Sequence, residues 1–152
     1  MPPHETSVRH LEPTQDAGRA FVARQMPGNV VMLNLLRFRD IADYAATPDL
    51  MPPFPITGEA AFQRYIAHTL PFLRASGGQI DFLGTGGPWL IGPSGERWDM
   101  VMLIRQQNAE SFLSFASHRA YLAGLGHRTA ALEDSRLLPL TDFALPIMES
   151  AR

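Results

Sequence analysis

Four short strand-like runs, two well-marked helical stretches between them and two runs apolar on both sides predict an α+β fold built on an antiparallel sheet. The chain has 152 residues, the size of one domain. Residues 1–13 are polar and proline-bearing and read as a flexible N-terminal arm, leaving 14–152 as a single domain.

The elements follow in order. Thr14 is placed to cap a leading helix to about Gln25, with Ala17, Ala20, Phe21 and Val22 on its apolar side. Pro27-Gly28-Asn29 is a turn, and Val30 to Leu36 is the first strand. Residues 37–57 contain Pro48, Pro52, Pro53 and Pro55 and read as a long connection, within which the proline-rich 45–57 segment is either a lid or a structural strap. From Gly58 to Ser76, Phe62, Tyr65, Ile66, Thr69, Leu70 and Leu73 recur at the helical period. Thr57 caps this helix, and Gly77-Gly78 stops it with residues that accept positive φ.

Ile80 to Leu83 is a second strand, resumed at Trp89–Ile91 after the glycine run Gly84-Thr85-Gly86-Gly87. Pro93 to Gly95 is a turn, and Met100 to Arg105 is the third strand. Asn108 caps a second helix to about Tyr121, with Phe112, Leu113, Ala116 and Ala120 inward. A polar stretch, Gly124 to Asp134, leads to a last strand over Arg136 to Phe143. A leading helix followed by β-α-β-β-α-β is the ferredoxin-like order, whose strands stand 4-1-3-2. Strands one and three should then be central, and they are the apolar ones. Pro139 suits the fourth strand to an edge.

In strand one, Val31, Leu33 and Leu35 point one way and Val30, Met32 and Leu36 the other. In strand three, Val101 and Leu103 oppose Met100, Met102 and Ile104. Helices on one face leave the second apolar face uncovered. A homodimer would bury it, giving a dimeric α+β barrel. The alternative is cover from the leading helix and the proline-rich connection.

Composition excludes many chemistries. There is no Cys, so no thiol nucleophile, disulfide or Cys-ligated metal. All 13 basic residues are Arg, so there is no Schiff-base lysine and no phosphate-loop lysine. A net charge of −2 without a basic stripe argues against nucleic-acid binding. No apolar run approaches a membrane span and the N-terminus lacks a signal-peptide core, so the chain reads as cytoplasmic. Gly84–Gly87 runs into Pro88 rather than a helix and is no dinucleotide loop. Gly92-Pro93-Ser94-Gly95 lacks the second glycine of a nucleophile elbow.

The run Val30–Arg39 resembles the first strand of the longer members of the domain of unknown function 1330 family. Ala42-Asp43-Tyr44, Gly77-Gly78, Arg97-Trp98-Asp99 and His127–Arg136 resemble that family too, over about residues 27–142. The resemblance implies a dimeric α+β barrel of ferredoxin-like units and no particular reaction. The wider superfamily includes cofactor-free monooxygenases, isomerases and haem-binding enzymes, and carrying any of these over is analogy at the level of fold.

Three constellations are candidates. Asn34 interrupts an apolar strand, and Arg37 and Arg39 follow it on one side, a pattern suited to a carboxylate or enolate. Alternatively Asn34 bonds to backbone and the arginines pair with Asp40, Asp43 or Glu133. His127, Arg128, Glu133, Asp134 and Arg136 cluster before the last strand. There His127 could serve as a general base oriented by Asp134, with Arg37 and Arg128 holding an anion. A turn laced with salt bridges is the plainer reading. A metal site at His118 and His127 matches no ligand spacing, so no metal is expected. Trp98, Tyr44, Tyr65, His68 and Phe72 could line an aromatic cleft for a flat ligand, although aromatics at helical spacing are usually core.

The expectation is a homodimer that binds a small, partly apolar, anionic molecule through Asn34, Arg37, Arg128, Trp98 and Tyr65. It would act, if it is an enzyme, without a cofactor as an oxygenase or isomerase. The alternatives are a non-catalytic binding or interaction module and a haem-handling protein.

Overall fold

A computed structural model describes residues 8–144. The elements are α1 (Gln15–Ala23), β1 (Val30–Phe38), a 3₁₀ turn (Pro48–Leu50), α2 (Gly58–Ala75), β2 (Gln79–Pro88), β3 (Arg97–Gln106), α3 (Ala109–Ala116), α4 (Arg119–Leu122), α5 (Leu125–Ala131) and β4 (Leu132–Leu140). The strands form one antiparallel sheet in the order β2-β3-β1-β4, the ferredoxin-like arrangement. Pro139 stands on the outer strand β4, opposite Met32. The fold is α+β.

Local chemistry sets the helix ends. The side chains of Thr14, Thr57 and Asn108 accept hydrogen bonds from the N–H groups of Ala17, Ala60 and Ser111. Gly77, at φ 83°, ends α2 in the left-handed region that glycine adopts without strain.

Three elements differ from the sequence reading. The helix expected to reach Tyr121 breaks after Ala116. Ser117 turns its hydroxyl back to the Leu113 carbonyl, and His118 leaves helical geometry to cap α4. The polar stretch Gly124 to Asp134, to which the sequence reading gave no element, holds α5, and β4 begins at Leu132 rather than Arg136. Buried Ala130, Ala131 and Leu132 drive that segment into the core. β2 runs unbroken through Gly84–Gly87, whereas Trp89–Ile91 is an exposed bend and no strand. The glycines serve the pairing, since a Cβ on Gly86 would lie 2.2 Å from the Trp98 carbonyl oxygen.

The core lies between the sheet and the helices. Leu36, Phe62, Tyr65, Leu73, Met102, Phe115, Tyr121 and Leu132 belong to one buried cluster. Met26, Val30 and Met32 form a smaller one, with Phe21 of α1 packed against it. The other sheet face carries Val31, Leu33, Leu35, Val101, Leu103, Leu138, Leu140 and Phe82, which neighbour one another in the ladders and join neither cluster. Phe82 and Leu138 are more than half exposed. α1 lies on the helix side, its Phe21 edge-on to Phe112 of α3. The proline-rich segment is pinned at the end of the sheet, where Ala42 and Asp43 donate to the carbonyls of Ile56 and Ala130. Neither segment covers the second face.

Candidate functional site

A cavity of about 200 Å³ lies between the helix-side face of the sheet and the helices. β1 and β3 supply Met32, Asn34, Met102, Ile104 and Gln106, while α2 supplies Tyr65, Thr69 and Leu73. Phe112 and Phe115 of α3, Tyr121 of α4 and Arg128 of α5 close it. The wall is mainly apolar with a few polar groups turned inward, the usual character of a small-molecule site. Its volume exceeds the roughly 150 Å³ that holds a benzene ring in an apolar core.

The polar groups are unequally satisfied. The Tyr65 and Tyr121 hydroxyls bond each other at 2.7 Å. Burial, then the neighbouring Tyr121, pushes the Tyr65 pKa far up, so it stays a neutral phenol. The Asn34 amide donates to the Met32 carbonyl on its own strand at 3.1 Å. Thr69 Oγ1 is buried beside the Tyr65 side chain but makes no well-formed hydrogen bond. Arg128 donates to the Leu11 carbonyl at 2.6 Å and the Ser135 hydroxyl at 3.2 Å.

Asn34, Tyr65 and Arg128 thus share the cavity, as the sequence grouped them for ligand binding, but Arg37 and Trp98 stand apart from them. The buried Trp98 indole lies beneath the guanidinium groups of Arg37 and Arg136, at 5.7 and 5.1 Å from its ring centre. Arg37 approaches Glu133 and Asp134 at 3.9 and 3.8 Å, and its buried Nε has no hydrogen-bond partner. Arg97 reaches Asp99 at 3.2 Å and Glu133 at 3.8 Å. This network edges the apolar sheet face.

His127 and Asp134 are not a pair. His127 Nδ1 lies 2.8 Å from the Tyr44 hydroxyl, and the ring does not line the cavity. Burial lowers its pKa, helped by the positive charge of Arg64 and by His68. Asp134 Oδ1 instead accepts from the His10 N–H at 2.8 Å, the Ser135 N–H at 2.9 Å and Arg136 at 2.8 Å. Burial opposes its ionisation, but these donors outweigh burial and hold its pKa below the usual carboxylate value. The separation follows from α5, because His127 is a full turn back on a helix while Asp134 is already in β4, opposite Arg37. His68 Nε2 donates to the Ala120 carbonyl at 2.8 Å and ties α2 to α4.

Residues 41–57 do not border the cavity. Its mouth is edged by Pro13 of the arm, which β4 holds down. Arg9 donates to the carbonyls of Glu133 and Leu132, and the Ser135 hydroxyl bonds the His10 carbonyl. Among the polar residues of the cavity, the sequence did not single out Thr69, Gln106 or Tyr121 as functional. Thr69 had a signal, as the one aliphatic hydroxyl in the apolar stripe of α2. No cluster of metal-ligating side chains occurs among the described residues.

These features define a class: a ferredoxin-like α+β protein with an internal cavity between sheet and helices. Within that class, the chain is 30% identical to the RPA0582 protein of Rhodopseudomonas palustris, a structural-genomics target of unknown function. The match covers 91% of this chain and 100% of that one, with a TM-score of 0.78. The structure of methylated RPA0582 gives a TM-score of 0.80 over 91% of this chain and 98% of that one. The chain belongs to the family of RPA0582. A dimeric ferredoxin-like protein of unknown function from Bacteroides fragilis is 13% identical, at a TM-score of 0.48 over 77% of this chain and 99% of that one. No family model and no curated protein matches the chain.

Proposed function

We propose that the protein is a small-molecule-binding homodimer whose ligand occupies the cavity between the sheet and the helices of each subunit. The mainly apolar cavity of about 200 Å³, with Asn34, Tyr65, Thr69 and Arg128 turned into it, carries this reading. A ring-sized organic molecule fits that volume, judged against the roughly 150 Å³ that suffices for benzene. Asn34, Tyr65 and Arg128 are the contacts of the binding site in this reading. Arg37 and Trp98 belong to the subunit seam, where the charge network would fix the register of two sheets.

The pairing rests on the bare apolar sheet face, which neither α1 nor the proline-rich segment covers. The same reading places the chain beside the domain of unknown function 1330 family. Val30–Arg39 and His127–Arg136, which carry that resemblance, meet in the Arg37–Asp134–Arg136 network.

Two measurements on the full chain test the proposal. Native mass spectrometry is expected to give twice 16.8 kDa, and a clean monomer would refute the pairing. Calorimetric titration with phenol, a neutral ring-sized probe, should show saturable binding that Ala116→Leu weakens by filling the cavity. Absence of phenol binding to the wild-type chain would refute the site.

A further inference from the structure

Arg128 differs from the arginines of the charge network. Arg37, Arg97, Arg105 and Arg136 each face a carboxylate. Arg128 meets only neutral acceptors, the Leu11 carbonyl and the Ser135 hydroxyl, and has no carboxylate within 4 Å among the described residues. It lines the inner cavity and also an adjoining outer cavity of about 390 Å³ beneath α1, so it stands at the junction of the two. Glu12 borders the outer space without pairing with it. A guanidinium has five N–H donors in a planar fork, and two bonds to neutral oxygens leave it able to grip a planar anion. A half-buried cation without a counter-charge is an unfavourable arrangement that an incoming carboxylate relieves.

Thr69, on α2, supplies an independent observation. Thr69 is 8% exposed, and its buried hydroxyl faces the Tyr65 side chain without forming a well-made hydrogen bond. A buried hydroxyl whose hydrogen bonding is incomplete is destabilising, so it favours a polar group inside the cavity. Nothing comparable demands a second charge, because the rest of the wall is mainly apolar.

We propose that the ligand is a ring-sized carboxylate that also bears a hydroxyl or carbonyl group. Its carboxylate is held by Arg128 at the junction, and its second polar group by Thr69 in the interior. This rests on the cavity reading above and names the chemical class that the cavity selects.

The test is calorimetric titration of the full chain with phenol, benzoate and 4-hydroxybenzoate. The expected order is 4-hydroxybenzoate over benzoate over phenol, with at least a tenfold advantage of the first over the last. Arg128→Gln should abolish the advantage of both carboxylates over phenol. Arg128→Lys should retain part of the advantage. Thr69→Val, an isosteric change, should remove only the preference for 4-hydroxybenzoate over benzoate. Phenol binding as tightly as benzoate would refute the carboxylate assignment while leaving the cavity reading intact. An equal loss for all three probes in Arg128→Gln would show that Arg128 merely holds the arm, and would refute its role here. An unchanged preference in Thr69→Val would mean that the hydroxyl serves a water molecule, and would remove Thr69 from the site. Failure of all three probes on the wild-type chain would refute the cavity reading itself.

Discussion

Replacing Asp134 with alanine removes the acceptor that joins the arm to the sheet. The carboxylate takes the His10 N–H, the Ser135 N–H and Arg136, all within 2.9 Å, and is itself only 5% exposed. Hydrogen bonds to a charged group contribute about 1.5–3 kcal/mol each when both partners stay buried. Breaking a fully buried pair is destabilising by about 3–5 kcal/mol. Here Arg136 and His10 are exposed and regain water, so the expected loss is smaller, about 2–3 kcal/mol. For a chain of this length that corresponds to a fall in Tm of about 4–12 °C at pH 7. The folded carboxyl titrates below its unfolded value. Its contribution is therefore complete above about pH 4 and lost as pH falls through the folded pKa. Thermal unfolding of wild type and Asp134→Ala, followed from pH 7 to pH 2.5, should show a gap that closes below pH 4. A gap that persists unchanged at the acid end would refute the claim that the charged carboxylate holds this contact.

Further expectations follow from other parts of the fold. Leu33→Arg, between Leu103 and Leu138 on the bare sheet face, should convert the proposed dimer to monomer in sedimentation velocity without loss of helical signal. Gly86→Ala should destabilise the chain by about 1–3 kcal/mol in urea unfolding, since its Cβ would press on the Trp98 carbonyl. His127, half-buried and feeling the charge of Arg64, should titrate by NMR below the ordinary histidine value of 6.5. Because that shift is downward, its contribution to stability is present above the unfolded pKa and fades as pH falls through the folded one.

The topology was legible because its signals are local and agree with one another. Thr14, Thr57 and Asn108 cap the helices they were expected to cap, and Pro139 fell on an outer strand. The errors lie where tertiary pairing overrode local preference. Gly84–Gly87 looks like a turn in isolation, but pairing with Val101 to Trp98 keeps it extended. α5 has no side-chain cap to announce it and owes its place to the burial of Ala130 and Ala131. For the site, Asn34, Tyr65 and Arg128 were recognisable as polar or aromatic residues in unusual surroundings. That Arg37 and Trp98 lie elsewhere depends on sheet parity and ladder endings beyond the reach of single residues. The distance between His127 and Asp134 in the fold was hidden by the missed helix between them.

An open sheet has two outer strands, and each can recruit a strand from another molecule. At β4 the Arg9 side chain occupies the carbonyls of Leu132 and Glu133, groups that an incoming strand would need. At the far edge, β2 ends in Pro88, which has no N–H to offer a neighbour. Arg9 and Pro88 thus each blunt part of an outer edge, while the broad apolar face stays free to pair.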